Sequence, residues 1–142
     1  MTRRRTTSKR PADPATAYAH AVAAGKAPAG PHVRAACARH LRDLDEGSKR
    51  GLFWDVGAVE RVLGFFRDVL VLNGGEHEGE PFIVEAWQAF VLGSLFGWKR
   101  GSAKGPRRFR VGFVETGKGS GKSPLAAGIG IYGLVADGEP RA

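Results

Sequence analysis

The sequence predicts an α/β protein in which a mostly helical leader precedes one central strand, a glycine-rich turn and one apolar helix. Three observations carry that expectation. Four segments before residue 99 repeat apolar side chains at helical spacing, residues 107–114 alternate in the two-residue period of a strand, and three glycines join that strand to a further apolar run. One convincing strand does not make a sheet, so the sheet is expected to be incomplete.

Taken in order, residues 1–14 carry five basic residues, two prolines and, after Met1, no large apolar side chain, which predicts a disordered basic arm. An alanine-rich helix is expected over residues 15–24. Pro31 then opens a second helix running to about Leu44, with Val33, Cys37, Leu41 and Leu44 on one stripe and arginines on the other. Asp43, Asp45 and Glu46 read as a solvated helix end. Asp55 caps a third helix, in which Val56, Val59, Val62, Leu63, Phe66, Val69 and Leu70 recur every three or four residues until NGGEHEGEP ends it. Residues 82–98 are apolar nearly all round and predict a fourth helix buried on two sides. Residues 99–114 follow as a basic hairpin and strand, and residues 115–138 as the turn and final helix. That helix is apolar on every side, expects to be covered, and places Gly128 and Gly130 for close packing on a sheet.

Composition narrows the class. The 142 residues suffice for one ordinary domain, and a hydrophobic fraction of 42% is enough for a core. A formal charge of +8 predicts attraction to a polyanion, whether nucleic acid, nucleotide or an acidic protein surface. Cys37 is the only cysteine, which excludes an internal disulfide and a cysteine-based zinc site, and its place on an apolar stripe predicts a buried thiol. There is no apolar run of membrane-spanning length and no signal-peptide core, so a cytosolic protein with no membrane partner is expected. His77 with Glu76, Glu78 and Glu80 sits in a glycine-rich loop, where neighbouring side chains converge poorly on a metal.

The chemistry concentrates in RRFRVGFVETGKGSGKSPLAA, residues 107–127. Phe109, Val111 and Phe113 fall on one face of the extended part, and Arg108, Arg110 and Gly112 on the other. Gly117, Gly119 and Gly121 are expected to take positive φ and to bring successive N–H groups close to an anion, with Lys118 and Ser120 between them. The following helix adds its positive dipole end, Lys122 can reach the β- and γ-phosphates, and the Ser123 hydroxyl can ligate Mg²⁺. Pro124 sits in the first helical turn, where its missing N–H costs little. The pattern G-x-x-x-x-G-K-[ST] asks for glycine where this chain has Thr116, a departure from the motif that leaves its physics intact. ATP and Mg²⁺ are the expected ligands.

Gln88 is the odd residue of the fourth helix. Its amide sets a donor beside an acceptor, which matches the N6 and N7 edge of adenine, and it equally suits a hydrogen bond to nearby backbone. Lys99, Arg100, Lys104, Arg107, Arg108 and Arg110 form a basic cluster that suits DNA phosphate or a solvated hairpin alike. The acidic strand that normally holds the nucleotide's metal has no counterpart here, because after Ser123 only Asp137 and Glu139 are acidic and both belong to a polar helix exit. No catalytic residue is assigned within the chain.

These residues together resemble the large terminase subunit of tailed bacteriophages. The likeness runs over residues 13–139 and is most specific at WQAF before LFGW and at GKGSGKSPLAAG. It implies the N-terminal piece of a phosphate-loop ATPase of the RecA-like class, which powers translocation of viral double-stranded DNA into the procapsid. It also implies that a C-terminal metal-dependent endonuclease, the Walker B acids and a catalytic glutamate lie beyond Ala142. By the same resemblance Gln88 takes the adenine role, Lys122 and Ser123 take the phosphate and Mg²⁺ roles, and Thr116 and Lys118 are family habits. The implied partners are the portal protein and the small terminase subunit, with a homo-oligomer, pentameric at the portal, in the host cytoplasm. Two other readings stay open, a phosphate-loop kinase or GTPase and a basic DNA-binding fragment without catalysis. The chain alone is expected to turn over ATP negligibly.

Overall fold

The computed structural model describes residues 11–138. Most of the basic arm, and Glu139, lie outside the described residues. The arm's last residues are structural: Asp13 caps α1 (Pro14–Ala23), its carboxylate accepting from Thr16 N at 3.0 Å and from the Thr16 hydroxyl at 2.8 Å. There follow α2 (Pro31–Glu46), a 3₁₀ turn (Gly47–Arg50), β1 (Leu52–Trp54), α3 (Val56–Asp68), α4 (Ala86–Gly97), β2 (Trp98–Arg100) and α5 (Lys122–Val135). Asp55 caps α3 through Ala58 N at 3.0 Å.

The fourth helix is the hub. It starts four residues later than its apolar run, because the Glu85 and Gln88 side chains form a reciprocal capping box that sets its first turn. Phe82, left outside the helix, is still buried and stacks edge-on to Phe66 at 5.1 Å. α4 packs on α1 and α3 through Gly93 and Gly97. A Cβ at Gly93 would lie 2.6 Å from that of Ala15, and one at Gly97 would lie 2.7 Å from Val59 Cγ2. Only glycine permits this approach, which buries Val59, Val62, Phe66 and Leu92 completely. Each such side chain contributes roughly 1.5–3 kcal/mol relative to exposure.

Several expectations need correction. α2 is rotated from its predicted stripe: Val33 and Leu44 are 39% and 36% exposed, while Cys37, His40 and Asp43 are buried. Asp43 is no solvated helix end. Its carboxylate accepts from Arg108 at 2.7 Å and from Arg50, so two guanidiniums offset its desolvation. α3 stops at Asp68, leaving Val69 61% exposed.

The expected central strand is absent as a strand. Residues 108–117 contain no strand residue, and one isolated bridge joins Lys99 to Arg107. Backbone groups without a neighbouring strand have no ladder to join, so Val111 and Phe113 stand 85% and 88% exposed. The sheet that exists is a different one, β1 antiparallel to β2 with Leu52 opposite Arg100 and Trp54 opposite Trp98. α5 packs on α3, not on a sheet. A Cβ at Gly128 would meet the Phe66 ring at 2.5 Å, whereas nothing lies within 4 Å of one at Gly130. Nor is α5 covered all round, since Ile131, Leu134 and Val135 are 46%, 74% and 66% exposed.

Candidate phosphate-binding loop

Two ion pairs anchor the chain where it enters the loop segment. Arg107 reaches Asp137 just past the end of α5 at 2.8 Å, and Arg108 reaches Asp43 on α2. Consecutive residues of an extended chain point opposite ways, so the two pairs hold the segment from both sides. Asp137 is therefore a tie rather than a polar exit. Arg107 also lies over the Phe96 ring, and the guanidiniums of Arg39 and Arg108 both lie over the Phe109 ring, at 5.0 and 4.8 Å from its centre.

Beyond these anchors the loop is closed by its own polar groups. The Lys122 ammonium donates to Thr116 O at 2.8 Å, bridging the first and last residues of the turn. The Ser120 hydroxyl donates to Gly117 O at 2.7 Å and meets the Thr116 hydroxyl. Gly119 and Gly121 take φ of 80° and 82°. Gly117 does not adopt a positive φ, which corrects the expectation that all three glycines would. Gly121 is the N-cap of α5 and has no side chain to satisfy the first N–H groups of the helix. Those donors, the dipole of α5 and a lysine held by a single carbonyl face the same short loop. Lys118 and Ser123 are exposed.

Gln88 comes to the loop from α4. Its Oε1 accepts from Glu85 N at 2.8 Å, the local backbone bond that the composition allowed. Its Nε2 lies 3.2 Å from where a Cβ on Gly121 would be. The fold thus brings together Gln88, Thr116, Gly117, Lys118, Gly119, Ser120, Gly121, Lys122 and Ser123, with Gln88 5% exposed beneath the loop.

A cleft of about 720 Å³ runs under the extended segment between α4 and α5. Val91, Leu95, Phe96 and Ile129 give it an apolar wall, while Arg107, Arg110 and Lys122 line it with positive charge. Such a cleft suits an anion whose remainder is apolar or aromatic.

The sequence reading missed the side chains that brace this region. His40 lies 2% exposed, ringed by Trp54, Phe90 and Trp98. Trp98 Nε1 donates to its Nδ1 at 3.1 Å, so Nε2 carries the proton and donates to the Thr16 hydroxyl at 3.0 Å. Burial pushes the His40 pKa down to about 4, against the opposing pull of Asp13 and Asp43. Burial raises the Asp43 carboxyl, but its bonds to Arg108 and Arg50 outweigh that and hold it below the usual range. Burial raises the Cys37 thiol, in keeping with an inert core residue. His77 Nδ1 pairs with exposed Glu80 at 3.1 Å, and among the described residues no three His, Cys, Asp or Glu side chains are grouped to hold a metal.

Residues 86–142 match the family model described as terminase large subunit, ATPase domain. The match takes in α4, β2, the loop and α5, and leaves the first three helices outside it. Over that part of its length, less than half of the chain, it is similar to the ATPase domain of terminase large subunits. No curated protein and no solved structure matches the chain. Among the described residues no helix is long and apolar enough to cross a membrane.

Proposed function

We propose that this chain carries the nucleotide grip of a DNA-packaging ATPase. The observation that carries the reading is the closed loop at the start of α5, with Lys122 tied to Thr116 O and uncapped N–H groups beside it, within a stretch matching the terminase ATPase domain. Bound there, ATP would set its phosphates against the amides of residues 117–123 and against Lys122. Gln88 takes the adenine role in this reading through Nε2, the donor left beside Gly121 while its Oε1 accepts from Glu85 N. The fit is good for phosphate and partial for Mg²⁺, since the Thr116 and Ser120 hydroxyls are engaged with each other and the Ser123 hydroxyl is the oxygen ligand left to the metal. Magnesium would neutralise charge on the phosphates during transfer.

In this reading the fold completes as a phosphate-loop NTPase, and ATP hydrolysis drives viral double-stranded DNA through a portal. The portal protein and small terminase subunit are its partners, a pentamer is its working assembly, and the host cytoplasm at the procapsid portal is its place. The acids for hydrolysis and for endonuclease cutting are assigned to residues that this sequence does not contain. Calorimetric titration with ATP and GTP tests the proposal. ATP is expected to bind in preference to GTP, and Lys122→Ala should weaken ATP at least tenfold, since removing a cation that pairs with the phosphates forfeits more than about 1.4 kcal/mol. Equal affinity in the wild type and the variant would refute it.

A further inference from the structure

Asp43 fixes Arg50 and Arg108, whose side chains are 51% and 13% exposed, and Arg42 stands 3.6 Å from the same carboxylate with 59% of its side chain in solvent. Arg39, one turn earlier on α2, is held over Phe109. The hairpin brings more positive charge to this corner, because Gly101 N donates to Gly51 O at 2.9 Å and joins the turn that carries Arg100 and Lys104 to the end of the 3₁₀ turn that carries Lys49 and Arg50. Asp45 and Glu46, exposed at the end of α2, are the nearby counter-charges and leave the corner positive.

Here we infer a docking surface for the sugar–phosphate backbone of double-stranded DNA, formed by the end of α2, the 3₁₀ turn and the 101–106 hairpin turn around Asp43. Its guanidiniums are held in place before contact, so little side-chain freedom is lost on binding. A double helix offers a phosphate charge about every 1.7 Å along its axis, and rigid arginines and mobile lysines can meet such a row without reading sequence. A protein partner fits less well. Stable protein interfaces need an apolar centre, and of the exposed large apolar side chains only Leu44 belongs to these elements. The inference deepens the packaging reading by giving the DNA a place to lie, and it rests on that reading for duplex DNA over another polyanion.

The test is fluorescence anisotropy with a 30-base-pair duplex over a salt series, on the 142-residue chain. Lys49→Glu with Lys104→Glu is compared with Lys26→Glu with Arg67→Glu, which makes the same change in net charge on the α1–α2 turn and at the end of α3. The corner pair is expected to lose at least tenfold more affinity at 0.1 M salt, and to flatten the dependence of log Kd on log salt by about two, one for each phosphate contact removed. Equal losses in the two pairs would overturn the inference, because net charge alone would then explain binding. Polyglutamate displacing the duplex as readily as unlabelled DNA of equal charge would overturn it too, in favour of an acidic protein. ATP titration of the same variants separates the two readings: intact DNA docking with no ATP binding would sink the phosphate loop and spare this surface.

Discussion

At the scale of single residues, His40 shows how a buried polar chain restricts protonation. Each bond runs one way, from Trp98 to Nδ1, from Nε2 to Thr16 and from Thr16 to Asp13, which also accepts from Trp54 at 3.0 Å. Only the neutral ring with its proton on Nε2 fits that order. A proton on Nδ1 would face the Trp98 N–H and break the bond. The folded pKa of about 4 lies below the ordinary 6.5, so the unfolded chain takes up the proton first as pH falls. The stabilisation is full above about pH 6.5 and is lost on going down to about pH 4, a change of about 3 kcal/mol. Denaturant unfolding at pH 7 and pH 4.5 should show the drop, and His40→Gln should remove most of it. An unchanged pH slope in His40→Gln would assign the acid sensitivity elsewhere. Asp43 adds to the loss at lower pH, because its depressed pKa makes its contribution disappear last.

At the scale of elements, the loop separates glycines that differ in role. Gly121 is left-handed and its missing Cβ keeps space for Gln88, so Gly121→Ala meets backbone strain and a tight contact at 3.2 Å with the Gln88 amide. A cost of about 1–2 kcal/mol is expected, together with loss of ATP binding. Gly117 has neither constraint, and Gly117→Ala should change the melting temperature little. Thermal melts and ATP titration of the two variants check this, and equal destabilisation would mean the loop geometry is misassigned. The helices were legible in the sequence because their signals are local: Asp55 before a three-and-four repeat, Pro31 after a glycine turn, three glycines of which the last opens Gly-Lys-Ser. β1 and β2 were not legible, since LFW and WKR are too short to show a period. The face of α2 was misjudged because a hydrophobic pattern counts Val33 and Leu44 and passes over His40 and Asp43, whose burial depends on partners far away in the chain. The glycine-rich turn leading into α5 was legible. The bond from Lys122 to Thr116 O and the approach of Gln88 to Gly121 were not, because they depend on how the turn closes and how α4 docks.

At the scale of the whole molecule, the four-helix leader is well packed while the loop segment and α5 leave apolar surface open. Val111 and Phe113 project from the extended segment, and Ile131, Leu134 and Val135 project from α5. Where such side chains join into one patch they favour association. Sedimentation of the chain is expected to show association rising with concentration, and Val111→Ser with Phe113→Ser should reduce it. A strictly monomeric wild type would mean that this surface is satisfied in some other way. The leader braces the loop from a distance, since the Arg108–Asp43 and Arg107–Asp137 pairs tie the loop's approach to α2 and to the end of α5.

The central claim is that the amides of residues 117–123 grip phosphate. Amide chemical shifts of the isotope-labelled chain, followed as MgATP is added, test it most directly. The account predicts that the largest shifts fall on Gly117, Gly119, Gly121, Lys122 and Ser123, and that they vanish in Lys122→Ala. Loop amides that stay still at saturating nucleotide, or shifts that persist unchanged in the variant, would contradict it.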